Sequence, residues 1–231
     1  MADFVVLASR SPRRRSLLEQ LGVPIRVDAP EVDESPEPGE APDRLVCRLS
    51  CKKATEVARR RPGSTVLAAD TVVVLEGRIL GKPRDAEEAK AMLRALRGRT
   101  HQVLTAVTVA QGGESETRLV ASDVLLRDYS EGELAEYVDS GDPLDKAGAY
   151  AIQHAQFRPV ARWEGCFTSI MGLPLRESAT LLRRAGFDVP DRVNVVCRNA
   201  GAGSCCAAGS LAPNRKSPAC RCEPVASRDA R

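Results

Sequence analysis

The chain has 231 residues and a formal net charge of +3, and aromatic residues make up only 3% of it. The excess positive charge lies in residues 191–231, because residues 1–190 carry 27 basic and 28 acidic side chains. A nearly neutral body with few aromatic residues argues against a broad nucleic-acid-binding surface. No stretch is apolar for long enough to span a membrane, and the first residues do not form a secretory signal. We therefore expect a cytoplasmic protein with one α/β core.

A basic motif follows the first predicted strand. The apolar residues 4–7 lead into Ser9, Ser11 and Pro12, which are interleaved with four arginines at positions 10, 13, 14 and 15. Pro12 is compatible with the first turn of a helix, where free N–H groups attract anions. Guanidinium groups match the geometry of phosphate oxygens. The motif predicts a phosphate-binding turn, with a solvated basic helix face as the alternative.

The next segments predict a strand, a loop and a long helix. A short apolar run at 25–28 favours a strand, and the Pro-rich loop 28–43 carries the acidic residues Glu31, Asp33 and Glu34. Composition alone favours a solvated connector, with a mobile acidic rim as the alternative. Asp43 is a plausible cap for the helix that follows, which extends to about residue 60 and carries Lys52 and Lys53.

Asp70 interrupts the apolar run 66–75. Because an unpaired buried charge costs several kcal/mol, Asp70 should lie at a strand break, form an ion pair or bind a metal. The alternative is an ordinary turn aspartate. Lys82 follows a predicted hairpin and could return to the same place. The sequence around Lys82 is not a P-loop, because the glycine spacing is wrong and Pro83 replaces the required Ser or Thr.

The second half of the chain predicts a mixed sheet. Two long strands, 102–110 and 117–126, flank a Gly-Gly turn and indicate an antiparallel hairpin. Residues 141–153 mix turn residues, charges and small residues without a clear period, which is typical of a functional loop, although an ordinary connection is also possible. The two histidines, His101 and His154, lack metal-ligand spacing and are expected to be strand or surface residues.

Residues 191–231 differ in composition from the rest of the chain. They contain five cysteines and many Gly, Ala and Ser residues, and this composition cannot bury an apolar core. We therefore expect one domain over residues 1–190 and a disordered tail from 191 onward. Binding of a soft metal by the tail cysteines is the alternative, but their spacing fits no common zinc site.

Five motifs in chain order resemble those of the Maf family of nucleoside triphosphate pyrophosphatases. They are SRSPRR at 9–14, ADT at 69–71, GKPRD at 81–85, DKAGAY at 145–150 and MGLP at 171–174. The resemblance covers residues 4 to about 188. It implies a mixed, twisted α/β sheet with flanking helices, like that of the inosine triphosphate pyrophosphatases, with two lobes around a cleft. It also implies a homodimer.

The resemblance also implies a reaction and the residues that perform it. The reaction is hydrolysis of a nucleoside triphosphate to the monophosphate and pyrophosphate, with Mg²⁺ or Mn²⁺ as cofactor. Asp70 would be the proton acceptor, and Glu34 and Asp70 would hold the metal, although these two carboxylates could share both tasks. The residues expected to bind the triphosphate are Ser9, Ser11, Arg13, Arg14, Lys53 and Lys82. Arg13, Thr71 and Gln153 resemble the specificity set of the subgroup that acts on dTTP and UTP.

Alternative functions remain open from the sequence alone. A non-catalytic nucleotide-binding regulator would need the basic residues, but it would not need the carboxylates of Asp70 and Glu34, which repel phosphate unless a cation is present. A preference for another base, such as that of 7-methyl-GTP, is the second alternative. Residues 156–165 lack the glycine-rich pair that many family members have after the position of Gln153, which weakens the prediction of base preference most.

Overall fold

The structure, a computed structural model, describes residues 4–201. Seven strands form one sheet in the order β2-β1-β3-β5-β6-β7, with β4 beside β3. The strands are β1 (Val5–Leu7), β2 (Ile25–Val27), β3 (Thr65–Leu75), β4 (Arg78–Leu80), β5 (Thr100–Gln111), β6 (Glu114–Leu126) and β7 (Val160–Glu164). Strand β1 is parallel to β2 and β3, whereas the remaining pairs are antiparallel. The predicted mixed α/β sheet is confirmed.

Seven α-helices flank the sheet within the described residues. They are α1 (Pro12–Leu21), α2 (Pro42–Arg60), α3 (Ala86–Leu96), α4 (Glu131–Asp139), α5 (Phe167–Ile170), α6 (Leu175–Arg184) and α7 (Val193–Asn199). Two short 3-10 helices, Asp142–Asp145 and Ala147–Ala149, connect α4 to the loop before β7. Across residues 4–201, none of the helices has the length and apolar character needed to cross a membrane.

The ends of α1 and α2 show which local predictions were correct. The hydroxyl of Ser11 caps α1 by accepting the N–H of Arg14, and Pro12 occupies the first turn, as predicted. The prediction that Asp43 caps α2 is wrong. This helix begins one residue earlier, at Pro42, and Asp43 lies in its first turn. The fixed φ of proline suits a first helical position, so the helix starts there without a side-chain cap.

Alternation along β3 gives the sheet two different faces. Leu67, Ala69, Val73 and Leu75 face the side that carries α1, whereas Val66, Ala68, Val72 and Val74 pack on the side of α2. On the α1 side the apolar core has two parts. One part joins α1, α5, α6 and α7 to the sheet near Leu67, and the other joins α3 and α4 to it near Val73. Thr71 lies on this face between the two parts, which correspond to the expected two lobes.

One edge of β3 is open in the middle of the strand. Strand β5 pairs with β3 from Val66 to Val74 along one edge. On the other edge, β1 pairs only with 65–67 and β4 only with 73–75. Residues 68–72 therefore have no strand neighbour on that edge among the described residues, and we call this stretch the edge gap. It gives access to side chains on both faces of the sheet.

The beginning of the predicted tail is folded. Helix α7 places Val193, Val196 and Cys197 in the apolar cluster around α1 and α6. The prediction that the domain ends at residue 190 is therefore wrong, and the prediction of disorder is wrong for residues 191–201. The average composition of the tail, rich in Gly, Ala and Cys, did not reveal the short apolar segment that forms α7. Residues 202–231 of the predicted tail lie outside the described residues.

Helix α7 offers a direct test of its contribution to stability. Val196 is 2% exposed, whereas its neighbour Val195 is 39% exposed. We expect Val196→Ala to lower the free energy of unfolding by about 1–2 kcal/mol, because two buried carbon atoms are removed. Val195→Ala shares the same change in helix propensity and should have an effect near zero. Urea unfolding of both full-length variants measures the difference, and equal values would mean that α7 does not pack as described.

Buried His101 predicts a pH-dependent stability. It lies on β5, and its Nε2 is 2.7 Å from the hydroxyl of Tyr150. Burial lowers the pKa of His101 to about 4, so the unfolded chain takes up a proton at a higher pH than the folded chain does. Stability should therefore fall as the pH drops from about 6.5 toward 4, by about 2 kcal/mol between pH 7.5 and pH 5.

Replacing each histidine separates this effect from general acid sensitivity. We expect His101→Gln to remove this part of the pH dependence, whereas His154→Gln, at a partly exposed position, should retain the wild-type slope. The measurement is the urea-unfolding free energy at pH 7.5, 6 and 5. Identical slopes for His101→Gln and the wild type would show that protonation of His101 does not contribute.

Candidate active site

A cavity of about 710 Å³ opens at the edge gap. It is bordered by the loop after β1, the start of α1, the acidic loop before α2, the middle of β3 and the segment 145–153. All ten residues predicted to form the site line this cavity: Ser9, Ser11, Arg13, Arg14, Glu34, Lys53, Asp70, Thr71, Lys82 and Gln153. The fold thus brings residues that are far apart in the sequence to one cavity.

Lys53 joins the two carboxylates of the site. Its Nζ donates to Asp70 Oδ1 at 2.6 Å and lies 2.7 Å from Glu34 Oε1. Lys53 and Asp70 are both buried. Asp70 lies within the continuous strand β3 and pairs with Lys53, so of the three predicted alternatives the structure shows the ion pair and not the strand break. The ammonium group thereby compensates the buried charge of Asp70.

The charge of Glu34 is also stabilised by its surroundings. Partial burial alone would raise the pKa of Glu34, but the hydrogen bond and charge of Lys53, with the charges of Lys82 and Arg14, hold it below its usual value. Glu34 is therefore ionised at neutral pH. The site offers two carboxylates close to one cation.

Arg14 enters the site from the other face of the sheet. Its Nε donates to the carbonyl of Gly172 at 2.8 Å, its Nη1 to Ser9 Oγ and its Nη2 to Thr71 Oγ1, both at 3.2 Å. Burial lowers the pKa of Arg14, and the charge of Asp70 opposes this change, but a guanidinium keeps its proton in proteins. Three of the five N–H groups of Arg14 are thus used to hold it in place, and two remain for a ligand.

The remaining predicted residues lie around this centre. Lys82 is exposed and forms no ion pair with any residue in 4–201, so its charge is available to a ligand. Ser9 and Ser11 accept protein N–H groups through their oxygens and retain their hydroxyl protons. Gln153 is exposed at the cavity wall. Arg10 lines the cavity as well and forms an exposed ion pair with Glu31, whereas Arg15 pairs with Glu19 outside the cavity.

The loop that carries Glu34 is attached to α2. Arg48 donates to both carboxylate oxygens of Glu40 at 2.7 Å and to the carbonyl of Ser35. Lys52 donates to the carbonyl of Asp33 at 3.3 Å. The loop is therefore a segment fixed on the same helix that supplies Lys53, a possibility that its composition did not reveal.

A second charged cluster lies at the cavity and was not predicted from the sequence. Lys146 is buried, and its Nζ donates to Asp142 and to Asp145, whose other oxygen accepts Arg13 Nη1 at 3.4 Å. The sequence did contain a signal, because Asp142 and Lys146 are spaced i,i+4 in a stretch already considered functional. Without a regular period, however, the spacing did not indicate which charges pair.

The donor set suits a hard divalent cation that is also bound by a ligand. Among residues 4–201, no group of three or more His, Cys, Asp and Glu side chains forms a complete metal cage. Two carboxylates, Glu34 and Asp70, are brought close together by their shared contact with the Lys53 ammonium group. Mg²⁺ is commonly held by one or two carboxylates, with water and substrate phosphates completing its coordination. The residues present therefore fit such an ion.

Comparison with known proteins identifies the family to which the chain is similar. The model of the Maf-like protein family matches residues 4–185. A dTTP/UTP pyrophosphatase of Thermomicrobium roseum is 51% identical over 186 residues, which cover 80% of this chain and 85% of that protein. A dTTP/UTP pyrophosphatase of Myxococcus xanthus is 53% identical over 191 residues, or 83% of this chain and 97% of that protein.

Similarity to a solved structure is weaker. A HAM1 protein from Coxiella burnetii covers 79% of this chain and 100% of its own, with a TM-score of 0.48 and 17% identity. The family model covers most of the described residues. The two relatives are about half identical to this chain, and the matched segments cover 85% and 97% of their own lengths. The chain belongs to the Maf family.

Proposed function

We propose that the protein hydrolyses dTTP and UTP to the monophosphate and pyrophosphate in the cavity at the edge gap. Relatives that are 51% and 53% identical and bear the name dTTP/UTP pyrophosphatase support this activity. The observation that carries the proposal is the convergence of a buried carboxylate, four cationic side chains and two hydroxyls on one cavity. A triphosphate needs this combination of charge neutralisation and water activation.

Binding of the triphosphate is assigned to the cationic side chains. Arg13, Arg14, Lys53 and Lys82 neutralise the phosphate oxygens, and the hydroxyl protons of Ser9 and Ser11 donate hydrogen bonds to them. Arg14 supports this role because its position is fixed by three protein acceptors while two of its N–H groups stay free. A donor held in advance loses little entropy when the ligand binds.

Asp70 is the proposed general base. It takes a proton from the water whose oxygen forms the new bond to phosphorus, while the bond to the bridging oxygen breaks and pyrophosphate leaves. The hydrogen bond from Lys53 holds the Asp70 carboxylate in one orientation. A base fixed on a central part of a long strand is well placed for such positioning.

Glu34 and Asp70 are the proposed ligands of Mg²⁺ or Mn²⁺. When bound, the ion would neutralise negative charge on the phosphates and the leaving group. Both carboxylates face Lys53, and the low pKa of Glu34 keeps a second negative charge available at neutral pH. Asp70 is thus assigned both tasks, general base and metal ligand, and Glu34 is assigned that of metal ligand.

Base preference is assigned to Arg13, Thr71 and Gln153. The side-chain amide of Gln153 can donate and accept, which matches the alternating acceptor and donor groups of a uracil or thymine ring. Thr71 acts through its neighbours, because its hydroxyl contacts Arg14 and Thr105. We also propose that the described residues form one catalytic domain and that the protein works as a homodimer in the cytoplasm.

One assay tests the proposed function. The full-length protein is incubated with Mg²⁺ and with dTTP, UTP, CTP, GTP and 7-methyl-GTP, and pyrophosphate and orthophosphate are measured separately. Pyrophosphate released preferentially from dTTP and UTP is expected. Orthophosphate alone, or nucleotide binding without any product, would overturn the activity and favour a regulator. Preference for 7-methyl-GTP would overturn the base assignment.

A further inference from the structure

We propose that Lys146 is a positioning residue that sets Arg13 and Gln153 at the correct separation for the base. The proposal rests on the proposed function, because it concerns the recognition of pyrimidine triphosphates at the same site. It rests on two hydrogen-bonded arms that start at Lys146, one leading to Arg13 and the other to the segment that carries Gln153.

Lys146 holds the two arms together. It is 7% exposed, and its Nζ donates to the carbonyl of Asp142 at 2.5 Å, to Asp142 Oδ1 at 2.9 Å and to Asp145 Oδ1 at 2.5 Å. These bonds use all three protons of the ammonium group. Lys146 therefore has no proton left for a phosphate unless one of these bonds breaks, so its role is to orient other residues.

The first arm ends at Arg13. Asp145 accepts Lys146 through Oδ1 and Arg13 Nη1 through Oδ2, the latter at 3.4 Å. Burial would raise the pKa of Asp145, but the hydrogen bond from Lys146 and the charge of Arg13 hold it below its usual value. Asp145 is consequently ionised at neutral pH, and it keeps the Arg13 guanidinium on its side of the cavity.

The second arm reaches both sides of Gln153 through Tyr137. Asp142 Oδ2 accepts the Tyr137 hydroxyl at 2.8 Å, and the oxygen of that hydroxyl accepts the N–H of Ala151 at 3.2 Å. The Tyr137 ring also contacts the ring of His154 edge-on, with the ring centres 4.7 Å apart. Tyr137 thus contacts the chain on both sides of Gln153, at Ala151 and at His154.

Open space explains why Arg13 and Gln153 need such support. Both residues line the main cavity, and both also border a shallow surface depression beside Asp142, Asp145 and Lys146. Side chains with space on more than one side are not fixed by packing. The hydrogen bonds of the two arms then determine where the ends of the Arg13 and Gln153 side chains contact the base.

The test compares base preference in variants of the full-length protein. For each variant, kcat/KM is measured with UTP and with CTP, which carries an amino group in place of one uracil carbonyl. We expect Lys146→Met to lower the ratio of UTP to CTP about tenfold, the size of one charge-assisted hydrogen bond. Lys90→Met is the control, because Lys90 pairs with Glu87 on α3 and borders neither the cavity nor the depression.

Two milder variants test the arms separately and keep the buried ammonium. Asp145→Asn weakens the arm to Arg13, and Tyr137→Phe removes the hydroxyl of the arm to Gln153 while keeping the ring. Each should lower the ratio several-fold in a protein that still folds, although Tyr137→Phe should also lower the unfolding midpoint because the Ala151 N–H loses its acceptor. If Lys146→Met fails to fold, these two variants decide the outcome.

The possible failures are distinguishable. A wild-type protein that releases no pyrophosphate from UTP overturns the proposed function. A wild type that releases it but shows no preference for UTP over CTP overturns the positioning role. If the ratio of UTP to CTP is unchanged in Asp145→Asn and Tyr137→Phe, including when activity falls equally with both nucleotides, the positioning role is also overturned.

Discussion

Asp70→Asn should lower turnover of UTP by about 10³-fold, the scale of losing a general base. The amide has nearly the same shape as the carboxylate and can still accept the hydrogen bond from Lys53, but it cannot take a proton from water. Binding should stay within a few-fold of the wild type, because the cationic side chains remain at the phosphates and Glu34 remains as a carboxylate ligand for the metal. Steady-state release of pyrophosphate gives turnover, and calorimetry with α,β-methylene-UTP gives affinity.

Asp123→Asn is the matched control for this prediction. Asp123 lies on β6 of the same sheet, but it is exposed and does not line the cavity. Its replacement should leave both turnover and binding unchanged. Near-normal turnover in Asp70→Asn would refute the assignment of the base. Loss of binding along with turnover would instead show that Asp70 contributes to nucleotide affinity.

Lys53→Met should lower both activity and stability. Removal of the ammonium leaves Asp70 and Glu34 facing each other without the cation that they share. Breaking a buried ion pair by deleting one partner costs about 3 kcal/mol of unfolding free energy. Loss of a positive group at the phosphates should lower kcat/KM for UTP by roughly 10²-fold. Urea unfolding and pyrophosphate release measure the two effects.

Lys52→Met provides the comparison at the adjacent residue. Lys52 is exposed and donates to a backbone carbonyl, so we expect a change in unfolding free energy within about 0.5 kcal/mol. Activity should remain close to the wild-type value, because Arg48 still holds the loop that carries Glu34. If Lys53→Met loses no more unfolding free energy than Lys52→Met, the ion pairs of Lys53 do not stabilise the site. If it also loses no more activity, the proposed contact of Lys53 with the substrate is refuted.

The sequence was sufficient to predict features that depend on local chemistry. Ser11 and Pro12 start a helix because capping and a fixed φ act within one turn, and the structure shows this helix start. The need to compensate a buried charge predicted a partner for Asp70, and Lys53 is that partner. The family resemblance then supplied a list of residues that the fold brings to one cavity.

Features set by distant contacts could not be predicted in the same way. The edge gap depends on where β1 and β4 stop along β3, and no local pattern encodes the end of a partner strand. The role of Lys146 depends on two aspartates in an irregular loop, where spacing does not reveal orientation. Helix α7 is stabilised by α1 and α6, because a helix of seven residues has little stability in isolation.

The edge gap has a consequence for the behaviour of the protein at high concentration. An open strand edge exposes unpaired N–H and C=O groups, and such edges can pair with strands of other molecules and start aggregation. Here the open edge is five residues long and is bounded at both ends by β1 and β4. A charged residue, Asp70, lies at its centre beside Lys53. Because this stretch is short and Ala68, Ala69, Asp70 and Val72 within it are buried, the edge is a poor template for edge-to-edge association.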